Sequence, residues 1–150
     1  MELCYYEDYE VGQILVSDTY TIDKTELVEF SKKWDPQLYH IDEEAAIESI
    51  YGGLTAPSSL IMAVASRLGN TILPKCAAMG ALGMTDQEFP NPMRPGDHIT
   101  LKSTVTQKRR SKTKLDRGIV HFAVQLVNHD DEPITTYRTK IMVAKRNNSA

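Results

Sequence analysis

Three long runs of alternating apolar and polar residues near the C-terminal end fix most of what this 150-residue chain can become. Residues 98 to 109 include Ile99, Leu101, Ser103, Val105 and Thr106. Residues 118 to 128 carry Ile119, Val120, Phe122, Val124, Leu126 and Val127, and residues 133 to 144 carry Ile134, Tyr137, Thr139, Ile141 and Val143. A period of two puts every second side chain on the same face of an extended strand. The links between the runs are short, and one of them, Asn128-His129-Asp130-Asp131-Glu132-Pro133, is a turn by composition. Long strands joined by short turns make an antiparallel meander.

Upstream the period changes. Residues 13 to 22 are β-branched and partly alternating, so they read as a strand. Asp23 followed three residues later by Glu26 is a helix-start signal, and Leu27, Val28 and Phe30 give the next ten or so residues an apolar side. Pro36 stops that helix near Asp35. A second short helix is expected from Asp42 to Ser49, its acidic first turn facing the positive end of the helix dipole. Residues 57 to 68 form a third, with Pro57 near its start and Gly69 just past its end. Its interior is apolar on most sides, which predicts a helix enclosed by protein. Residues 78 to 89 give a further strand, its pattern interrupted by glycines and methionines. Strand, helices, then meander is an α+β order: one central helix against a curved antiparallel sheet. Residues 1–150 read as a single domain whose last residues, 147 to 150, are expected to fray.

Composition narrows the function classes. A hydrophobic fraction of 41% with 25% charged residues is that of a soluble globular chain. The net charge of −3 argues against a general nucleic-acid binder. The charge is uneven: residues 1 to 50 hold 13 acidic and 3 basic side chains, and residues 102 to 117 hold 7 basic and one acidic. The basic stretch Lys108 to Lys114 has two readings, a contact for the phosphates of a ligand and an exposed hairpin tip kept soluble by charge, of which the second is favoured. Lacking interleaved aromatics, it is a poor single-strand nucleic-acid surface. Cys4 and Cys76 make neither a disulfide framework nor a metal set, and read as free thiols. His98, His121 and His129 have no metal-ligand spacing, so no metal is expected. The N-terminus lacks the basic start and apolar run of a signal peptide, and no run is long enough to span a membrane. A cytoplasmic location without membrane or nucleic-acid partners is the expectation.

The chemistry lies in Asp35-Pro36-Gln37-Leu38-Tyr39-His40, which sets a carboxylate and an imidazole five residues apart. One such group can hold a water as base while the other moves a proton, as adding water to an activated double bond requires. The bland readings are a turn aspartate beside proline and a loop histidine. The dyad needs a donor to a carbonyl oxygen, and Tyr51-Gly52-Gly53-Leu54-Thr55-Ala56-Pro57-Ser58 can offer one at a helix start, where N–H groups lack partners.

With these segments in place, the sequence resembles the MaoC-like dehydratase family, relatives of R-specific enoyl-CoA hydratases with the hot-dog fold. The likeness covers nearly the whole chain. It rests on Tyr6-Glu7-Asp8-Tyr9-Glu10-Val11-Gly12, the Asp35 to His40 block, Tyr51 to Ala56, Met93-Arg94-Pro95-Gly96-Asp97, and Arg117-Gly118-Ile119-Val120 leading into the final strands. The family signature Asp-x-Asn-Pro-aliphatic-His keeps its outer pair and spacing here, with Gln37-Leu38 in place of Asn-Pro. Ser58 stands where the family has a glycine at the start of the central helix, whose backbone N–H binds the thioester oxygen. The resemblance implies a five-strand sheet wrapped around a central helix, with Asp35 and His40 catalytic. It implies Ser58, Pro57, Gly53 and Gln37 as the oxyanion and substrate-binding set. It also implies a 2-enoyl-CoA or 3-hydroxyacyl-CoA substrate, with coenzyme A part of the substrate and no other cofactor. Assembly is expected as a homodimer or larger, with sheets joined across subunits. Two rivals stand beside this reading. A hot-dog thioesterase would need a carboxylate on or near the central helix, and residues 57 to 72 contain no Asp or Glu. A non-catalytic acyl-CoA-binding module is the other.

Overall fold

A computed structural model describes residues 2 to 147; residues 148 to 150, most of the tail read as frayed, lie outside the described residues. In chain order the elements are β1 (Leu3–Cys4), a 3-10 turn (Tyr6–Asp8), β2 (Ile14–Thr21), α1 (Lys24–Trp34), α2 (Leu38–Ile41), α3 (Glu43–Glu48) and α4 (Ser58–Gly69). They continue with β3 (Lys75–Cys76), β4 (Ala78–Glu88), β5 (His98–Arg110), β6 (Arg117–Val127) and β7 (Pro133–Ala144). Five strands make one antiparallel sheet in the order β2-β5-β6-β7-β4, the α+β arrangement expected from the meander.

Register follows the alternation. Leu101 lies opposite Leu126, Ser103 opposite Val124 and Val105 opposite Phe122, while Val124 and Phe122 face Tyr137 and Thr139 on the other side. This inner face packs on α4 through Leu60, Ile61, Val64, Ala65 and Leu68, all buried. Burying an aliphatic side chain of this size contributes about 1.5–3 kcal/mol. The outer side of α4 is open, with Ser59, Ala63, Ser66 and Arg67 exposed. The expectation of a helix enclosed on most sides is therefore corrected: the sheet wraps one side, and the other side consists of small and polar residues. Gly69 ends the helix from inside it. Asn70, in right-handed helical geometry at φ −79°, closes the last turn through its backbone N–H, and its Nδ2 donates to Ser66 O at 2.8 Å.

The Asp23 cap forms, its carboxylate accepting from the Glu26 N–H at 2.9 Å, and Asp42 caps α3 in the same way through Ala45. The 128–133 turn is held by Asn128 Oδ1, which accepts from the N–H groups of Asp130 and Glu132. Three features were not anticipated. α2 is a single turn inside the segment read as loop. β1 and β3 pair in a two-residue parallel ladder apart from the main sheet. β4 runs its full length at a sheet edge but shifts register against β7 three times, one shift falling at Gly80, whose φ is +149°. Among the described residues no helix is long and apolar enough to cross a membrane.

The N-terminal segment is pinned across the sheet. Lys108 Nζ donates to the carbonyls of Tyr6 and Tyr9 at 2.9 and 2.7 Å and sits 4.4 Å from the centre of the Tyr6 ring. Lys108 thus leaves the basic stretch read as a solvated tip, whereas Arg109, Arg110, Lys112 and Lys114 are exposed as that reading expects. The Tyr6 ring lies directly on Gly118, where an added Cβ would overlap Cγ, Cδ2 and Cε2 of the ring. Gly118→Ala is expected to lower stability by about 2 kcal/mol through overpacking, seen as a fall in denaturant midpoint at unchanged slope. On a Tyr6→Ala background the same change is expected to cost much less.

Candidate active site

The site begins where α1 stops. Pro36 turns the chain out of the helix, leaving Asp35 as C-cap with its N–H on Ser31 O at 2.8 Å. Gln37 N–H returns to Asp35 O, and His40 N–H to Gln37 O, each at 2.9 Å. These bonds wind α2 and carry His40 into the interior, where it is only 5% exposed. Its Nδ1 lies 2.5 Å from the Thr55 carbonyl. A carbonyl only accepts, so Nδ1 carries a proton, and in the neutral form of the ring the lone pair lies on Nε2. Nε2 faces Asp35 Oδ2 at 3.8 Å. That separation is too long for a direct hydrogen bond and short enough for one water to touch both atoms.

The loop before α4 supplies the opposite wall. Thr55 N–H donates to Tyr39 O at 3.2 Å and Ala56 N–H to Met93 O at 2.8 Å, tying this loop to α2 and to the segment ahead of β5. Arg94 Nη2 donates to Tyr51 O, and the Tyr39 ring lies between His40 and Tyr51, 4.5 and 5.1 Å away by ring centres. α4 begins with Pro57 as N-cap and no side-chain cap, and no backbone carbonyl among the described residues outside the helix accepts from Ser58 or Ser59. The result is a cleft of about 320 Å³ lined by Asp35, His40, Thr55, Ser58, Ile61, Asn91 and the two tyrosines. It holds a carboxylate, an imidazole lone pair and an open helix start, the parts that a proton-moving addition to a carbonyl-activated bond needs.

Three residues of the expected substrate set stand elsewhere. Gln37 is exposed and acts through its backbone at the start of α2. Gly53 lies against Arg94, where a Cβ would come within 3.2 Å of Nη1, and Pro57 is fully buried as the cap of α4. None of the three lines the cleft. Conversely, Tyr39, Tyr51 and Thr55 sat unremarked inside the quoted segments. Phe89, read as the last residue of the 78–89 strand, and Asn91 come from the segment just after β4, Asn91 being held by Nδ2 on Pro133 O at 2.9 Å. Among the described residues no three His, Cys, Asp or Glu side chains gather as metal ligands.

A second cavity of about 330 Å³ lies toward the other end of α4, between Ala65 and Gly69 on the helix and Leu101, Phe122, Val124 and Tyr137 on the sheet. Ser58, Ile61 and Ala65 fall on one helical stripe, the first two facing the cleft and the third this cavity. Burial pushes the Tyr137 hydroxyl up to about 12 and raises Tyr9 as well, with the thiols of Cys76 and Cys4 beside it.

Comparison with known proteins places these features in company. The family described as FAS1-like, dehydratase domain region, matches residues 10–137. The crystal structure of a MaoC-like dehydratase from Rhodospirillum rubrum superposes with a TM-score of 0.90 at 32% identity, over 96% of this chain and 99% of that one. The R-hydratase PhaJ1 from Pseudomonas aeruginosa shares the fold, with a TM-score of 0.77 at 24% identity over 95% of this chain and 86% of that one. Protein MaoC of Klebsiella aerogenes is 28% identical over 107 residues, which is 69% of this chain and only 31% of that protein.

Tyr9 and Tyr137 are expected to stay protonated above the ordinary tyrosine value of about 10, measurable by ultraviolet titration of the folded chain. Both folded values are raised, so the stabilisation is complete below the unfolded value of about 10 and is lost as pH climbs from there toward 12. Melting temperature should accordingly fall across that window.

Proposed function

We propose that this chain, which belongs to the MaoC-like hot-dog dehydratase family, adds water to 2-enoyl-CoA thioesters or removes it from 3-hydroxyacyl-CoA thioesters in the cytoplasm. The supporting observation is the pairing of His40 Nε2 with Asp35 Oδ2 at 3.8 Å, in the same cleft as an uncapped helix start. A water lodged there donates one proton to each acceptor and keeps a lone pair for the β-carbon. As its oxygen bonds to the β-carbon, electron density moves through the α-carbon to the thioester oxygen. The backbone N–H of Ser58, at the positive end of α4, stabilises that charge. The Asp35–His40 pair takes one proton from water and returns one to the α-carbon, ending the turn as it began.

The apolar cavity past Ile61 suits the substrate's acyl tail, since the helical stripe leads there from the cleft. Coenzyme A enters only as part of the substrate, and the scheme uses no metal or redox group. The assembly proposed is a homodimer or larger, joined along β4, an edge strand that leaves Met79, Leu82 and Met84 exposed. Hydrolysis of the thioester is the weaker reading, because Asp35 is the one carboxylate among the cleft residues and α4 carries none.

Purified protein mixed with crotonyl-CoA should lower the enone absorbance without releasing thiol. Thiol release would mean a thioesterase, and binding without either change would mean a module that only binds. Asp35→Asn and His40→Ala are each expected to cut turnover by about 10²–10⁴-fold with an unchanged circular dichroism spectrum. Near-normal turnover by either folded variant removes that residue from the mechanism. Ser58→Pro tests the helix start: proline suits the first helical position but has no N–H. A loss of about 10²–10³-fold in kcat with α4 intact is expected.

A further inference from the structure

The only two cysteines, far apart in sequence, are brought opposite each other. β1 and β3 run parallel with Cys4 in register with Cys76. Neighbouring strands lie about 4.8 Å apart, inside the Cα separation of about 4.4–6.8 Å that a disulfide spans. In-register partners of a parallel pair project to the same side of the ladder, and both cysteines line the apolar cavity. Tyr9 lines the same cavity beside both thiols. The ladder itself is anchored: Ala77 N–H donates to Cys4 O, and Ala144 N–H to Ala77 O, each at 2.9 Å. Cys76 is partly exposed and Cys4 is buried, so an outside reagent meets Cys76 first.

We propose that Cys4 and Cys76 are a reversible dithiol–disulfide pair, a modification site oxidised by low-molecular-weight disulfides. The Cys76 thiolate attacks one sulfur of the reagent, forming a mixed disulfide and expelling one thiolate, which takes up a proton. The Cys4 thiolate then attacks the Cys76 sulfur, closing the protein disulfide and expelling the second reagent thiolate. The protein loses two electrons and two protons, and the reagent becomes two thiols. Burial holds both cysteines above the ordinary thiol range, which keeps them protonated at neutral pH and the exchange slow. The bond would tie the N-terminal strand to the segment leaving α4, across the rim of the apolar cavity. No step uses the proposed substrate, so the pair stands or falls apart from the hydration reading.

The test incubates the full chain with glutathione disulfide at mildly alkaline pH, then alkylates it in denaturant and digests it without reductant. The expected result is a chain lighter by about 2 Da, without alkylatable thiol, giving one Cys4–Cys76 linked peptide that dithiothreitol releases. Cys4→Ser should instead retain one glutathione on Cys76. The proposal is overturned if the wild-type chain keeps glutathione on Cys76 beside a free Cys4. It is equally overturned if two chains become linked to each other, or if both thiols remain alkylatable.

Discussion

A buried imidazole needs an acceptor for its N–H, and in this chain that acceptor is the Thr55 carbonyl. The bond settles which ring nitrogen holds the proton and which way the other points. It also joins the one-turn helix that carries His40 to the loop that delivers α4. Breaking it would strand a donor and an acceptor in the interior, at about 1–3 kcal/mol. Two prolines frame this join. Pro36 ends α1 so that Asp35 turns toward the imidazole, and Pro57, extended at ψ 155°, lets α4 start abruptly with its first N–H groups unclaimed. Carboxylate, imidazole and helix start are therefore positioned as one unit.

The sheet decides where that unit sits. Its inner face covers Leu60, Ile61, Val64, Ala65 and Leu68, so α4 is held lengthwise with its start at the margin of the core. A polar cleft at one end of the helix and an apolar cavity toward the other share one stripe of its surface. The fold thus sets a polar cleft and an apolar cavity apart along one helix, with Ile61 at the wall of the cleft.

How much of this could be read from the chain depended on the length of each signal. β5, β6 and β7 are each longer than ten residues and carry stretches of period-two alternation, so one face of each had to be buried. α2 has four residues, too few to show a helical period, and the proline just upstream reads as a loop. The β1–β3 ladder has two pairs and no pattern at all, so the meeting of Cys4 with Cys76 was invisible. Gly69 misled because glycine so often follows a helix, whereas here Asn70 closes the last turn within ordinary helical geometry. At the site, Asp35, His40 and Ser58 meet in one cleft, since each occupies a forced position beside a proline or on the turn that follows one. Gln37, Gly53 and Pro57 stand beside the cleft and not in its wall. Phe89 and Asn91 arrive from a loop that only the closed sheet brings near.

The irregularity of β4 carries a consequence for assembly. A flat, evenly spaced edge offers the same row of amides and carbonyls to any extended peptide, which is how fibrils recruit new strands. Three slips of register against β7 break the even spacing of this strand. An incoming extended backbone meets mismatched spacing after a few residues. The bulges thus act as a brake on chance strand addition at an edge whose exposed Met79, Leu82 and Met84 would otherwise invite it.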